Sequence, residues 1–298
     1  MNAPHPHNSR SHGIVVRKIP FAFDEDISPV WNDAQPEWSH MINGASLTMP
    51  YLEPFLIRTV REILPKLTDA GLREDARDFI AQEGQHYQNH RAYNERLKAN
   101  GYAELAEIEA EMEADYRRLQ KKSLRWRLAY TAGFETMTIG VTQWLIGNRR
   151  KLFAGANPSV VSFFLWHMVE ETEHKTVAFD LYQAFYRNYW ARAWGVYCGS
   201  RHVVHYTRKA YKQMLKKDGR WGKFGSRLRL AKMEAAFLFH VGKYLVASIL
   251  PGHHPKHVRD PDWVTQWMHA YADLPANHIP LLDTKHPDIP ARFAPDKA

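Results

Sequence analysis

The sequence predicts an all-α fold, a four-helix bundle with additional helices at its C-terminal end. Two observations lead there. Apolar residues recur at three- and four-residue spacing through successive long segments, the mark of helices with one buried face. No segment shows the alternating pattern of a half-buried strand.

Residues 1–40 are rich in Pro, Asn, Ser and His and read as an extended or disordered lead-in. Helical patterning begins near residue 46, with Leu52, Phe55, Leu56, Thr59, Val60, Ile63 and Leu64 on one face. Pro50 suits a first turn, where a missing N–H costs nothing, and Pro54 predicts a kink. Pro65 and Gly71 bracket a turn. A second helix spans 72–99 and stops at Asn100-Gly101, a natural C-cap. The charged stretch 102–122 reads as a solvated helix or connection. A third apolar helix covers 124–146, a loop covers 147–158, and one long helix runs from 159 to about 189. Helical segments follow at 190–217 and 227–250. The tail from 251 is rich in Pro and His, with a short helix at 261–273. The expected organisation is thus a lead-in (1–40), a helical bundle (41–250) and a tail (251–298).

The 298 residues are enough to bury a substantial core, and 45% hydrophobic with 24% charged residues is ordinary globular composition. The N-terminus has no apolar leader, which predicts a cytoplasmic protein. The most apolar stretch, 235–250, carries His240 and Lys243 and is short for a bilayer span. A single cysteine, Cys198, excludes an internal disulfide and any cysteine-rich metal site. No Gly-x-Ser-x-Gly elbow, Walker A loop, Gly-x-Gly-x-x-Gly or His-Glu-x-x-His is present, so nucleotide binding and a serine triad have no support.

What remains is a constellation of carboxylates and imidazoles. Glu83-Gly-Gln-His86 and Glu171-Thr-Glu-His174 are two Glu-x-x-His motifs in separate apolar helices. At i, i+3 both side chains share one helix face and can ligate one ion. Glu53 and Glu135 sit in otherwise apolar helices, where an unpaired carboxylate is costly. Two motif helices plus one Glu from each of two others is the ligand set of a ferritin-like dimetal bundle. Depth agrees. Glu53 and Glu83 are centred on position 68, inside the first turn, and Glu135 and Glu171 on 153, inside the 147–158 loop. In antiparallel hairpins such pairs lie level. His167 falls four residues before Glu171 and is a candidate seventh ligand. His90, Glu170, Glu173, Tyr87 and Tyr130 are candidates for hydrogen bonds around the ligands.

The segments FIAQEGQHYQNHRAYNERLKANGY (79–102), LAYTAGFETMT (128–138) and WHMVEETEHKTVAFDLYQ (166–183) carry a resemblance, supported by LTMPYLEPF upstream and PGHHP downstream. They resemble the bacterial family labelled predicted metal-dependent hydrolases, over roughly residues 40–260. Members of that family often have His after the third-helix Glu, where this chain has Thr136. The His167–Glu171–His174 spacing is also similar to that of di-iron arylamine N-oxygenases, in the ligand pattern alone.

Such ligands suit two ions of iron, an iron/manganese pair, or zinc. Scaffold analogy favours a di-iron centre that activates O2 and oxidises a small or lipid-like organic substrate, with Glu83 and Glu171 bridging. The alternative is hydrolysis by a metal-bound hydroxide. Iron storage ranks third.

The net charge of +8 is local. Residues 208–232 hold ten basic residues and one acidic residue, Asp218, a net of +9. A solvated basic turn is the default reading; Tyr211, Met214, Leu215, Trp221 and Phe224, interleaved with the cations, make peripheral contact with an anionic membrane the alternative. No nucleic-acid-binding motif accompanies the charge, so nucleic acid is not an expected partner. A homodimer is compatible with the sequence.

Overall fold

The computed structural model describes residues 13–275, 278 and 281–289. Among them the chain is all-helical. The helices are α1 (Pro36–Ile63), α2 (Ala70–Leu97), α3 (Leu105–Leu119), α4 (Leu124–Gly147), α5 (Arg149–Phe153), α6 (Pro158–Glu173), α7 (Val177–Phe185), α8 (Tyr189–Lys217), α9 (Phe224–Phe237), α10 (Lys243–Ser248) and α11 (Asp262–Ala272). The bundle consists of α1, α2, α4 and the α6–α7 pair, and α8 packs along α1 and α4.

Caps explain where several elements begin. The Asp69 carboxylate accepts the Leu72 N–H, Ser123 accepts Trp126 N–H, and Asn157 accepts the Ser159 and Val160 N–H groups. After α2, a π-helical turn ends at Gly101, whose φ of +110° is the left-handed C-cap the sequence indicates. The α4–α8 crossing depends on small residues. A Cβ on Gly195 would lie 1.9 Å from the Ala129 carbonyl oxygen. The two backbones touch there, and no side chain can fit between them.

Helix α1 begins ten residues earlier than the apolar periodicity suggests, at Pro36 rather than near 46. Its first turns look polar but are buried: the Asn43 Oδ1 accepts from Trp31 Nε1 at 2.9 Å, and His40 Nε2 meets Asp218 at 2.7 Å. Pro50 is therefore interior to the helix instead of in its first turn. Proline at 50 deprives the Ser46 carbonyl of its helical donor, and the Asn94 side-chain amide supplies one at 3.0 Å.

The lead-in is corrected too. Residues 13–35 lack helix, yet Ile19, Phe21, Phe23, Ile27 and Trp31 are buried against the bundle. Residues 1–12 lie outside the described part. The 102–122 stretch is not simply solvated, because α3 buries Leu105, Ile108, Met112 and Tyr116 along one face. The 147–158 loop holds the short α5. The long helix expected over 159–189 is broken at 174–176 into α6 and α7. The 227–250 segment contains a π-helical turn at 238–242 between α9 and α10. In the tail, α11 buries Trp263, Val264 and Trp267; positions 276–277, 279–280 and 290–298 lie outside the described residues.

Candidate metal centre

Four elements deliver seven side chains to one place. Glu53 comes from α1, Glu83 and His86 from α2, Glu135 from α4, and His167 and Glu171 from α6. His174 is the residue that caps the C-terminus of α6, with φ −99° and ψ 9°. All seven are buried. They form two adjoining clusters. One ligand atom each from Glu53, His86 and His167 lie within 4.8 Å of one another, and so do atoms from Glu83, Glu135, Glu171 and His174.

Two carboxylates span the clusters. Glu171 turns Oε1 to His167 Nε2 (2.8 Å) and His86 Nδ1 (3.7 Å), and Oε2 to His174 Nε2 at 3.2 Å. Glu83 Oε1 lies 3.4 Å from His174 Nε2 and 4.0 Å from His86 Nδ1. Glu53 Oε1 lies 3.8 Å from His167 Nε2, and Glu135 Oε2 lies 3.6 Å from His174 Nε2.

Each imidazole has one nitrogen facing the clusters and the other held from behind. His86 Nε2 meets Glu170 Oε2 at 2.9 Å, and His174 Nδ1 meets Gln82 Oε1 at 2.8 Å. His167 Nδ1 meets His90 Nε2 at 2.7 Å, and His90 Nδ1 meets the Ser46 hydroxyl at 2.8 Å, which donates on to Asn94. An outer hydrogen bond of this kind selects the tautomer and aims the free lone pair inward. Arg17, from the non-helical lead-in, donates to Glu170 (3.2 Å) and Glu173 (2.8 and 2.6 Å); Glu173 in turn accepts from Gln82 Nε2 at 2.8 Å.

The donor set fits metal ions. Both oxygens of Glu53, Glu83 and Glu135 and the Nδ1 of His86 are buried without a hydrogen-bond partner. Orphaned anionic acceptors at such depth are costly unless cations meet them. The electrostatics agree. Burial first, then Glu171 and Glu135, push Glu53 and Glu83 well above the usual carboxylate range. Glu135 is raised to about 7 by burial and Glu171. Burial works to lower His174, but Glu171 and Glu135 outweigh it and lift it to about 10. If all four carboxylates ionised, they would carry the charge that two dications would cancel.

Of the surrounding candidates, His90, Glu170 and Glu173 do touch ligands or the groups behind them. Tyr87 and Tyr130 are turned elsewhere. Tyr87 carries the Arg91 guanidinium 5.8 Å from its ring centroid. The Tyr130 hydroxyl bonds Tyr116 (3.1 Å) and His202 Nδ1 (2.8 Å). Thr136, at the position where the resemblance leads one to expect His, returns its hydroxyl to the Ala132 carbonyl. Sequence reasoning missed Arg17, Gln82, Ser46 and Asn94. Gln82 and Asn94 share α2 with the first motif, four and eight residues before its His86 and after it respectively, and so carried a helical-spacing signal; Arg17 carried none.

A sequence model of the family described as predicted metal-dependent hydrolase matches residues 15–259. The chain belongs to that family. The match takes in every residue of both clusters, the supporting histidine and carboxylates, and Arg17. No curated protein and no solved structure matches the chain. For this member of the predicted metal-dependent hydrolase family the geometry of the site is therefore the guide to chemistry. A cavity of about 10 Å3, lined by Glu171 with Ile139, Thr142, Thr172 and Lys175, reaches the centre from the α4–α6 side. A larger one of about 630 Å3 lies between α1, α2 and α3, beside the α1 turn that carries Glu53.

Proposed function

We propose that the chain holds two divalent metal ions in the adjoining clusters and uses them to hydrolyse an ester, amide or phosphoester bond. The observation that carries this reading is that two adjoining clusters of buried, inward-facing ligands, in which Glu53, Glu83, Glu135 and His86 Nδ1 have no hydrogen-bond partner, are spanned by Glu83 and Glu171. Glu53, His86 and His167 would hold one ion, Glu135 and His174 the other, and the two shared carboxylates would lie between them. Bound there, paired ions polarise the scissile bond and make water nucleophilic at neutral pH. The family description supports hydrolysis over the oxidative chemistry that scaffold analogy favours.

The chain's own residues do the rest. Glu170, Gln82 and His90 keep a proton on the outer nitrogen of each imidazole, so the inner nitrogen stays a donor to the ion. Phe79 packs against His174 at 4.9 Å and Trp166 against His86 at 5.1 Å, excluding water from behind the ligands. The larger cavity is of small-molecule size. Its floor is Pro50, Tyr51, Pro54 and Tyr116, and Arg58 and Arg91 at its rim suit an anionic or lipid-like substrate.

Purified protein should contain close to two ions per chain and cleave a chromogenic ester or phosphodiester without O2. Activity that needs O2 and reduced iron would instead support the second reading, O2 activation at a di-iron centre. The observation favouring that reading is the ligand set, four carboxylates and three imidazoles on four bundle elements. A protein that binds no metal would overturn both.

A further inference from the structure

The outer layer formed by α8, α9 and α10 has a surface that the metal centre does not explain. Residues 189–250 contain thirteen Lys and Arg against two acidic residues, a net of +11, which leaves −3 for the rest of the chain. Of the aromatic and apolar residues that the sequence indicates, only Phe224 is fully on the surface. Tyr211, Met214 and Leu215 are buried, and Trp221 is half-buried beneath Lys212 and Arg227. The exposed large apolar groups of this layer are Trp190 (77% exposed), Trp194 (57%), Tyr197 and Val204 on α8, Phe224 (83%) and Leu228 on α9, and Leu238, Phe239 (68%), Val246 and Leu250 further along the facing segment.

The α8 groups lie on one face of that helix. Along α8 the exposed positions include 190, 194, 197, 201, 204, 208, 212 and 216, the three- and four-residue spacing of a single stripe about 39 Å long. The stripe is aromatic at its start and basic from Arg201 onward. Helices α9 and α10 run antiparallel beside it: Arg208 pairs with Glu234 at 3.3 Å, and Arg192 donates to the Ser248 carbonyl at 2.7 Å. That register sets Val246 and Leu250 level with Trp194 and Trp190, and Leu238 and Phe239 level with Val204. Arg201, Lys212, Lys216, Lys223, Lys232 and Lys243 make no ion pair among the described residues.

We propose that this face docks on an anionic lipid bilayer. Unpaired cations beside exposed tryptophans match both parts of such a surface, the charged headgroups and the boundary of the acyl chains. A second copy is the poorer occupant, because a two-fold contact sets the same patch against itself and would oppose like charge to like charge. Among the described residues no helix is long and apolar enough to cross a membrane, so the contact is peripheral.

Vesicle co-sedimentation of the full chain tests this, with phosphatidylcholine alone against phosphatidylcholine containing 30 mol% phosphatidylglycerol. Binding is expected on the anionic vesicles only, weakening as salt rises, with a blue shift in tryptophan emission. Trp190→Ala with Trp194→Ala, and separately Arg201→Gln with Lys212→Gln and Lys216→Gln, should each lower the partition coefficient about tenfold or more. Both sets replace surface side chains, and an unchanged circular-dichroism melt confirms that the fold is kept. The proposal falls if anionic vesicles are not bound, or if both variants bind as the parent does. It also falls if the face instead supports a dimer that the tryptophan variant dissociates, or duplex DNA binding that the charge variant abolishes, with no vesicle binding in either case.

Discussion

The two ligand clusters are neighbours but not equals. One offers a single carboxylate, Glu53, and two imidazoles, His86 and His167; the other offers Glu83, Glu135 and Glu171 with one imidazole, His174. The carboxylate-rich cluster suits a harder ion and the imidazole-rich cluster a more borderline one. Support from behind differs as well. His174 is held by Gln82 and, through it, by Glu173 and Arg17, whereas His167 rests on a neutral chain through His90 and Ser46 to Asn94. The difference teaches that two ions here would be distinguishable in affinity, exchange rate and identity.

The strongest way to break that comparison is to remove what the clusters share. Glu171→Gln keeps the shape but removes the charge of one of the two carboxylates that reach both sets of imidazoles, and should take metal content from two ions toward none and activity to background. Elemental analysis of the purified variant checks it; two retained ions would refute the shared-carboxylate reading. Next come His167→Ala and His174→Ala. Each should lose one ion and keep the other, and titration with Mn2+ and Zn2+ should show the retained site to be imidazole-rich in the second variant and carboxylate-rich in the first.

A subtler change sharpens the role of the supports. Gln82→Leu should weaken metal binding about 10- to 100-fold at the His174 cluster alone, as read by competition with a chelator. Glu53→Gln should have opposite signs in two states. In metal-free protein it removes a buried, unpartnered carboxylate and should stabilise the fold by about 1–2 kcal/mol in urea unfolding; in loaded protein it should destabilise.

The smallest effect concerns the outer layer, far from both clusters. Burial would raise Glu37, but hydrogen bonds from Arg229 and Ser226 overcome it and hold it at about 2. A carboxyl held below its unfolded value contributes stability that is full above about pH 4.3 and lost as pH falls toward 2. Arg229→Ala should therefore raise the midpoint of acid unfolding, by about half a pH unit, with no change in metal content.

Much of the centre was legible in the sequence because a helix converts spacing into direction. Glu53, Glu83, His86, Glu135, His167 and Glu171 all lie on regular helix, with His174 one position past the end of α6, and level pairing across two turns placed them together. What could not be read was set by tertiary contact. Arg17 reaches the site from a segment without periodicity. The break at His174 interrupts an apolar run that continues through Val177 and Phe179, so nothing in the pattern marks it. The early start of α1 was hidden because His40 and Asn43 are buried polar residues whose partners, Asp218 and Trp31, lie elsewhere in the chain. Tyr87 and Tyr130 failed for the converse reason: nearness along a helix to a ligand does not decide where a hydroxyl points.

Arg17 also sets an order of events during synthesis. Its partner Glu173 lies 156 residues further along the chain. A growing chain therefore releases Arg17 from the ribosome long before α6 exists to receive it, and contacts of such sequence separation form late. Until then the back of Gln82 stands open. Docking of the lead-in then places the Arg17 guanidinium over Glu170 and Glu173 and covers that side of the centre.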